Sequence, residues 1–188
     1  MPLDITISLS DDDLQKFQDS IDQGILAATD QECAIAIEES AAELIEKVHE
    51  LGLPQFIADR LLKLQILLNM IRDTEWKLNE EEIISIRGAL YYLVNPDDVI
   101  PDNIPGIGYL DDAIYAEIVI QELRVEIKMY QEFCQFRIAE ENRRRNKGMD
   151  PHVGRDDWIT DKRELLHIRM RERRTLSTGG RGLRMRLL

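Results

Sequence analysis

Residues 95–112 read N-P-D-D-V-I-P-D-N-I-P-G-I-G-Y-L-D-D, and no other stretch departs so far from helix-forming composition. Three of the chain's six prolines (Pro96, Pro101, Pro105) fall here, with Gly106, Gly108 and five aspartates from Asp97 to Asp112. Each proline fixes φ, removes a backbone donor and pushes the preceding residue out of the helical region. A helix through residues 95–108 is thereby excluded. Val99, Ile100, Ile104 and Ile107 are too many apolar side chains for a solvated linker. The expectation is a rigid, partly extended loop pinned to a core by its isoleucines; such long loops are uncommon in compact domains and often functional. Asp97 or Asp98 can close an Asx-turn after Pro96. Asp111 or Asp112 stands where the next helix needs an N-cap, worth about 1 kcal/mol.

On both sides of this loop the chain reads as helix. Upstream, Asn79 and Glu82 form a capping-box pattern, and Ile83, Ile86, Leu90, Leu93 and Val94 lead into the loop. Downstream, a single long helix is expected from about Asp112 to Arg145, with Ile114, Ile118, Leu123, Ile127, Tyr130 and Phe133 on one face. Its polar end, from Gln131, is expected to project from the body. Gly148, Asp150-Pro151 and Gly154 break it. Residues 156–174 then predict a basic amphipathic helix with Trp158, Ile159, Leu165, Leu166 and Met170 on one side, and the end STGGRGLRMRLL is expected to be disordered when unbound.

Further upstream, Ser10 followed by Asp11, Asp12 and Asp13 starts a helix carrying Leu14, Phe17, Ile21 and Ile25. Thr29 or Asp30 restarts one with Ile37, Ala41, Leu44, Ile45 and Val48, ending at Gly52 as a C-cap. Pro54 suits the first position of a third helix, whose stripe runs from Phe56 and Ile57 through Leu61, Leu64, Leu67 and Leu68 to Ile71. Only residues 1–9, where Ile5 and Ile7 alternate, suggest extended chain. The fold class is therefore all-α: a compact bundle with a Pro/Asp/Gly-rich loop between two core helices, a long helix after it, and a basic, partly disordered tail.

These residues also carry a resemblance. Tyr92-Leu-Val-Asn-Pro96, Asp98-Val-Ile-Pro101-Asp102, Ile104-Pro105 and Gly108-Tyr109-Leu-Asp111-Asp112, in that order, resemble the signature of the YkvA-like family, the DUF1232 domain. The likeness covers roughly residues 81–120. It implies a loop but no chemistry, because the family has no established activity. Many members carry strongly apolar residues around the motif and look membrane-associated. This chain departs from them with Glu117, Gln121, Glu122 and Arg124 after Asp112.

At 188 residues, 44% hydrophobic and 32% charged, the chain suits one globular domain with appendages. No apolar run is long enough to span a bilayer, and MPLDITISLSDDD lacks the pattern of a signal peptide. Cys33 and Cys134 read as small buried hydrophobes of a reducing compartment. A cytoplasmic protein is expected, with peripheral membrane attachment as the alternative. The net charge of −12 hides an asymmetry: residues 143–188 hold 14 Lys+Arg against 6 Asp+Glu, a net of +8, leaving 10 against 30, a net of −20, elsewhere. This divides the chain into an acidic helical domain, 1–146, and a basic helix and tail, 147–188.

The aspartates are the first candidates for chemistry. Carboxylates suit hard cations such as Mg²⁺ or Ca²⁺, and Asp98, Asp102 and Asp112 are the candidate ligands. The competing reading gives the same side chains to turns and helix caps. Tyr91, Tyr92, Tyr109 and Tyr115 surround the loop in sequence and either pack it down or line a small pocket with an acidic rim. His49, His152 and His167 are scattered, so no Ser-His-Asp or Cys-His set can be assigned. G-I-G-Y at 106–109 lacks the Lys-Ser/Thr end of a phosphate loop. The basic tail has three readings: docking on an acidic protein partner or on the chain's own body, lying on an anionic membrane, or binding nucleic acid. Three functions compete accordingly: a helical interaction or adaptor module, a divalent-metal-dependent enzyme or ligand-binding protein, and a peripheral membrane protein.

Overall fold

The structure is a computed structural model that describes residues 10–94 and 109–177. The extended start expected at 1–9, the loop of residues 95–108 and the tail beyond Ser177 lie outside the described residues. Within them the chain is all-α. Its elements are α1 (Asp11–Ala27), α2 (Gln31–Lys47), α3 (Gln55–Lys63), α4 (Gln65–Arg72), α5 (Glu80–Tyr91), a 3₁₀ turn at Tyr92–Val94, α6 (Leu110–Glu122), α7 (Arg124–Asn146) and α8 (Arg155–Ser177).

Local signals account for several boundaries. The Asp30 side chain caps α2 by accepting from the Cys33 N–H at 3.0 Å. Asn79 and Glu82 close a reciprocal capping box at α5, at 2.8 and 3.1 Å. Other boundaries depart from expectation. Pro54 is the N-cap of α3 and not its first helical residue. The third helix breaks into α3 and α4 at Leu64, and the long helix breaks into α6 and α7 at Leu123 (φ −88°, ψ 14°). No proline or glycine stands at either break. Both leucines are fully or almost fully buried, so the backbone bends where a core side chain must be seated. Gly52 (φ +61°) lies in the turn after α2, whose C-cap is Val48.

The layers follow from which stripes are apolar. α5 sits between α1 and α2; α3 packs on α6, α4 on α7, and α8 along α7. At the crossing of α1 and α5 the backbones nearly touch. A Cβ on Gly24 would lie 2.4 Å from the Tyr91 Cβ and 2.7 Å from the Gly88 carbonyl oxygen. One on Gly88 would lie 3.0 Å from the Ile25 amide nitrogen. Only glycine permits that approach.

A second focus is Trp76, fully buried in the linker between α4 and α5. Its ring meets Tyr130 and Phe133 of α7 and His167 of α8, with centroids 5.7, 5.1 and 4.4 Å away. The polar end of α7 therefore does not project: α8 covers it, seating Ile159, Leu166 and Met170 in the core. The stripe on α8 is narrower than its sequence suggests, because Leu165 is 43% exposed while Trp158 is half-buried. Cys33 is exposed and Cys134 half-buried, both as free thiols. Cys33 is not a core residue, because α2 buries Ala34, Ile37, Ala41 and Ile45 on its other side.

Candidate functional site: the motif anchor and the α8 docking surface

Four of the motif residues are described: Tyr92, Tyr109, Asp111 and Asp112. Pro96, Asp98, Pro101, Asp102, Pro105 and Gly108 lie outside the described residues. Tyr109, not an aspartate, is the N-cap of α6, in the left-handed region at φ 64° with no side-chain cap. Asp111 and Asp112 lie two and three residues further on, in the first turn, where both are almost completely buried. A carboxylate there faces the positive end of the helix dipole. The Tyr92 hydroxyl donates to Asp111 Oδ2 at 2.9 Å. The Tyr92 and Tyr115 rings stack at 4.4 Å, and Phe17 of α1 meets both at 5.3 and 5.5 Å. Burial, and then the neighbouring Tyr92, push the Tyr115 hydroxyl far above its ordinary range. Tyr115 therefore stays neutral.

The chain leaves the 3₁₀ turn and re-enters at α6 across this one cluster. A hydrogen bond to a buried carboxylate, together with stacked rings, joins the two ends of the motif. Of the three candidate metal ligands, Asp112 alone is described. Among the described residues no group of three His, Cys, Asp or Glu side chains is placed to hold a metal ion. Tyr91 and Tyr109 are half-buried and pack against the core.

A second polar constellation was not legible in the sequence. Asp73, just past α4, accepts from the Glu75 and Trp76 backbone N–H groups at 3.0 and 3.2 Å and from the Tyr130 hydroxyl at 3.1 Å. Arg137 of α7 bridges Asp73 and Glu75, each at 2.8 Å. Arg155, at the start of α8, bridges Glu75 and Glu141 at 2.5 and 2.7 Å. Further along α8, Arg163 donates to the Glu75 carbonyl oxygen at 3.1 Å, and Lys162 and Arg169 reach Glu132 at 2.9 and 3.5 Å. Cations also cover the rings at this seam: Arg144 and Arg155 lie over Trp158 at 5.2 and 5.3 Å, and Lys162 over Phe136 at 5.3 Å.

The electrostatics of this seam agree with its geometry. The Arg155 hydrogen bond holds the Glu75 carboxyl below its ordinary value, with Arg137 adding to it. Burial opposes ionisation of Asp73, yet the Arg137 hydrogen bond and charge win and its value is lowered. Lys162 lowers Glu132 in the same way. The hint in the sequence was Asp73-Thr-Glu75-Trp76, two acids beside a tryptophan in a helix–helix linker. Nothing local says that Arg137 and Arg155, 62 and 80 residues away, converge on them.

Residues 82–116 match the model of a family described as "Protein of unknown function (DUF1232)". This segment is a DUF1232 domain. It begins in the capping box of α5, spans the motif and ends within α6, so the Tyr92–Asp111 anchor is internal to it. A wider stretch is similar to the E3 ubiquitin-protein ligase RNF170 of Xenopus laevis, 31% identical over 119 residues. That match covers 53% of this chain and 46% of the relative, so the chain spans about half the relative's length. No solved structure matches the chain. Around the DUF1232 segment, no helix among the described residues is long and apolar enough to cross a membrane.

Proposed function

We propose that the chain is a helical interaction or adaptor module without a reaction of its own. In this reading the DUF1232 loop, 95–108, is the recognition surface, and the body around it is the frame. The observation that supports it is the anchor: Tyr92 and Asp111 join the two ends of the loop at 2.9 Å, backed by the Tyr92–Tyr115 stack. Fixing the ends of a recognition segment lowers the ordering cost of binding. Tyr92 donates to the Asp111 carboxylate, and burial keeps Tyr115 neutral. In the same reading α8 is the basic helix of the tail docked on the chain's own acidic residues, with an acidic protein as the alternative acceptor. The likeness to part of a ubiquitin ligase brings no ligase activity to this reading.

The test uses the full chain with residues 95–108 replaced by a Gly/Ser linker of equal length. Proteins captured by wild type and variant are compared, and the folding of each is checked by melting temperature. A variant that keeps a wild-type melting temperature and loses the captured partners supports the reading. A folded variant that keeps them all refutes it. The metal reading is examined in parallel, by melting wild type and Asp98→Asn/Asp112→Asn with Mg²⁺ or Ca²⁺ after chelation. A cation that raises the melting temperature of wild type but not of the variant would replace the adaptor reading with a metal site.

A further inference from the structure

An open groove of about 830 Å³ runs between the α3–α4 pair and the α6–α7 pair, adjoining the α8 seam at Tyr130 and Cys134, which meet Asp73 and Arg137. Its walls are Leu62 and Ile66 on one side and Ile120, Ile127, Tyr130 and Cys134 on the other. Leu62, Ile66, Ile120 and Cys134 are half-buried at the edge of the core, while Ile127 and Tyr130 are buried members of it that also line the groove. The size and lining suit the apolar face of a short helix, which enters such a groove with side chains spaced i, i+3, i+4 and i+7.

The charge at the rim selects among helices. Lys63 lines the groove, 51% exposed, and is shared with Glu117 at 3.3 Å. On α7, Arg124 and Lys128 are both exposed and lie on the Gln131–Gln135 edge by helical register. Among the described residues neither enters an ion pair. This sets them apart from Arg155 and Lys162, which hold α8 in place. Across the rest of residues 1–142 the acid surplus would turn an acidic helix away, and a basic helix would meet three cations here.

We propose that the groove docks a short amphipathic helix of a partner protein, apolar on one face and flanked by glutamate or aspartate. Its leucine-like anchors would sit against Leu62, Ile66, Ile120 and Ile127, and its carboxylates would pair with Arg124, Lys128 and Lys63. This deepens the interaction-module reading by giving it a second surface, built from residues other than 95–108. The two tests are independent, because the groove experiment leaves residues 95–108 unchanged.

The experiment uses full-length protein with Cys33→Ser, which leaves Cys134 as the thiol reporter in the groove wall. The probe is a fluorescent helical peptide with leucine at i, i+3, i+4 and i+7 and glutamate at the flanking positions. Its counterpart carries lysine at those positions. The glutamate peptide should bind, raise anisotropy and slow the reaction of Cys134 with a disulfide reagent at least tenfold. Arg124→Glu/Lys128→Glu should weaken that binding at least tenfold, and being exposed the changes leave the melting temperature near wild type. Equal binding of both peptides, binding without protection of Cys134, or no binding at all overturns the proposal. So does self-association of the protein that shields Cys134 without any peptide.

Discussion

Where α1 crosses α5 the two backbones meet with almost nothing between them, whereas where α8 lies on α7 long cationic side chains bridge the seam. The first contact is set by Gly24 and Gly88, one added carbon away from collision with main-chain atoms. The second is set by Arg137, Arg155 and Lys162 reaching Asp73, Glu75, Glu141 and Glu132. Van der Waals contact at a backbone crossing has no dependence on ions and little tolerance for volume. Ion pairs reverse both properties: side chains can move, but salt and protons reach them. One molecule thus contains a seam that fails by crowding and a seam that fails by chemistry.

The largest expected effect comes from crowding the first seam. In Gly88→Ala the new carbon would lie 2.6 Å from Ile25 Cγ1, which can rotate, and 3.0 Å from the Ile25 amide nitrogen and 3.2 Å from the Ile21 carbonyl oxygen, which cannot. Overpacking of this kind costs roughly 3 kcal/mol. Alanine recovers about 1 kcal/mol of that through helix propensity. A net loss near 2 kcal/mol should lower the melting temperature by roughly 4–8 °C in a chain of this size. The loss should be the same at low and high salt. An unchanged melting temperature would mean that the helices can slide apart cheaply, and the contrast between the seams would collapse.

Arg155→Ala strikes the other seam. It removes the bridge from Glu75 to Glu141, although Arg137 still holds Glu75. These side chains are about one-fifth to one-third exposed, so the loss is that of a charge-assisted hydrogen bond and not of a deeply buried pair. A cost of about 1–2 kcal/mol is expected. Unlike the glycine substitution, its effect should shrink in 1 M salt, where screening acts within about 3 Å. Amide exchange should show α8 loosening before α1 or α5. If exchange rises uniformly, α8 is not a separately released element and its docking is as cooperative as the core.

What was legible in the sequence follows the same division between local and distant causes. The caps at Asp30 and Asn79 with Glu82 act within one turn, and they stand where the residue types put them. The helical stripes and the break around Gly148 to Gly154 act over short range as well, and the all-α class follows from them. The bends at Leu64 and Leu123 have no local signal, since leucine favours helix and only the shape of the core demands a break there. The expected cap at Asp111 or Asp112 failed for a related reason. Tyr109 takes the strained cap position, and Asp111, two residues on, accepts from the Tyr92 hydroxyl. The candidate site was half readable: the motif marked its ends, while Glu75 and its cations are joined only by the fold.

The smallest effect expected is a proton-driven loosening of the second seam, read at His167. Its ring is half-buried edge-on against Trp76. Burial lowers its value below the ordinary one; Glu82 opposes that shift, and Arg171 and Arg163 reinforce it. The folded form therefore disfavours the proton that the unfolded chain takes up near its ordinary value of about 6.5. Stability from this group is complete above that value and declines as pH falls below it. Asp73 and Glu75 have lowered values too, so their contribution is kept until much more acid pH and then lost as they protonate. Amide exchange in α8 should accordingly rise in two steps, a small one from pH 7 to 5 and a larger one below about 4. His167→Gln should abolish the first step and keep the second, with α1 and α5 unmoved by the first. A first step that survives the substitution would assign it to another group and remove His167 from the seam's chemistry.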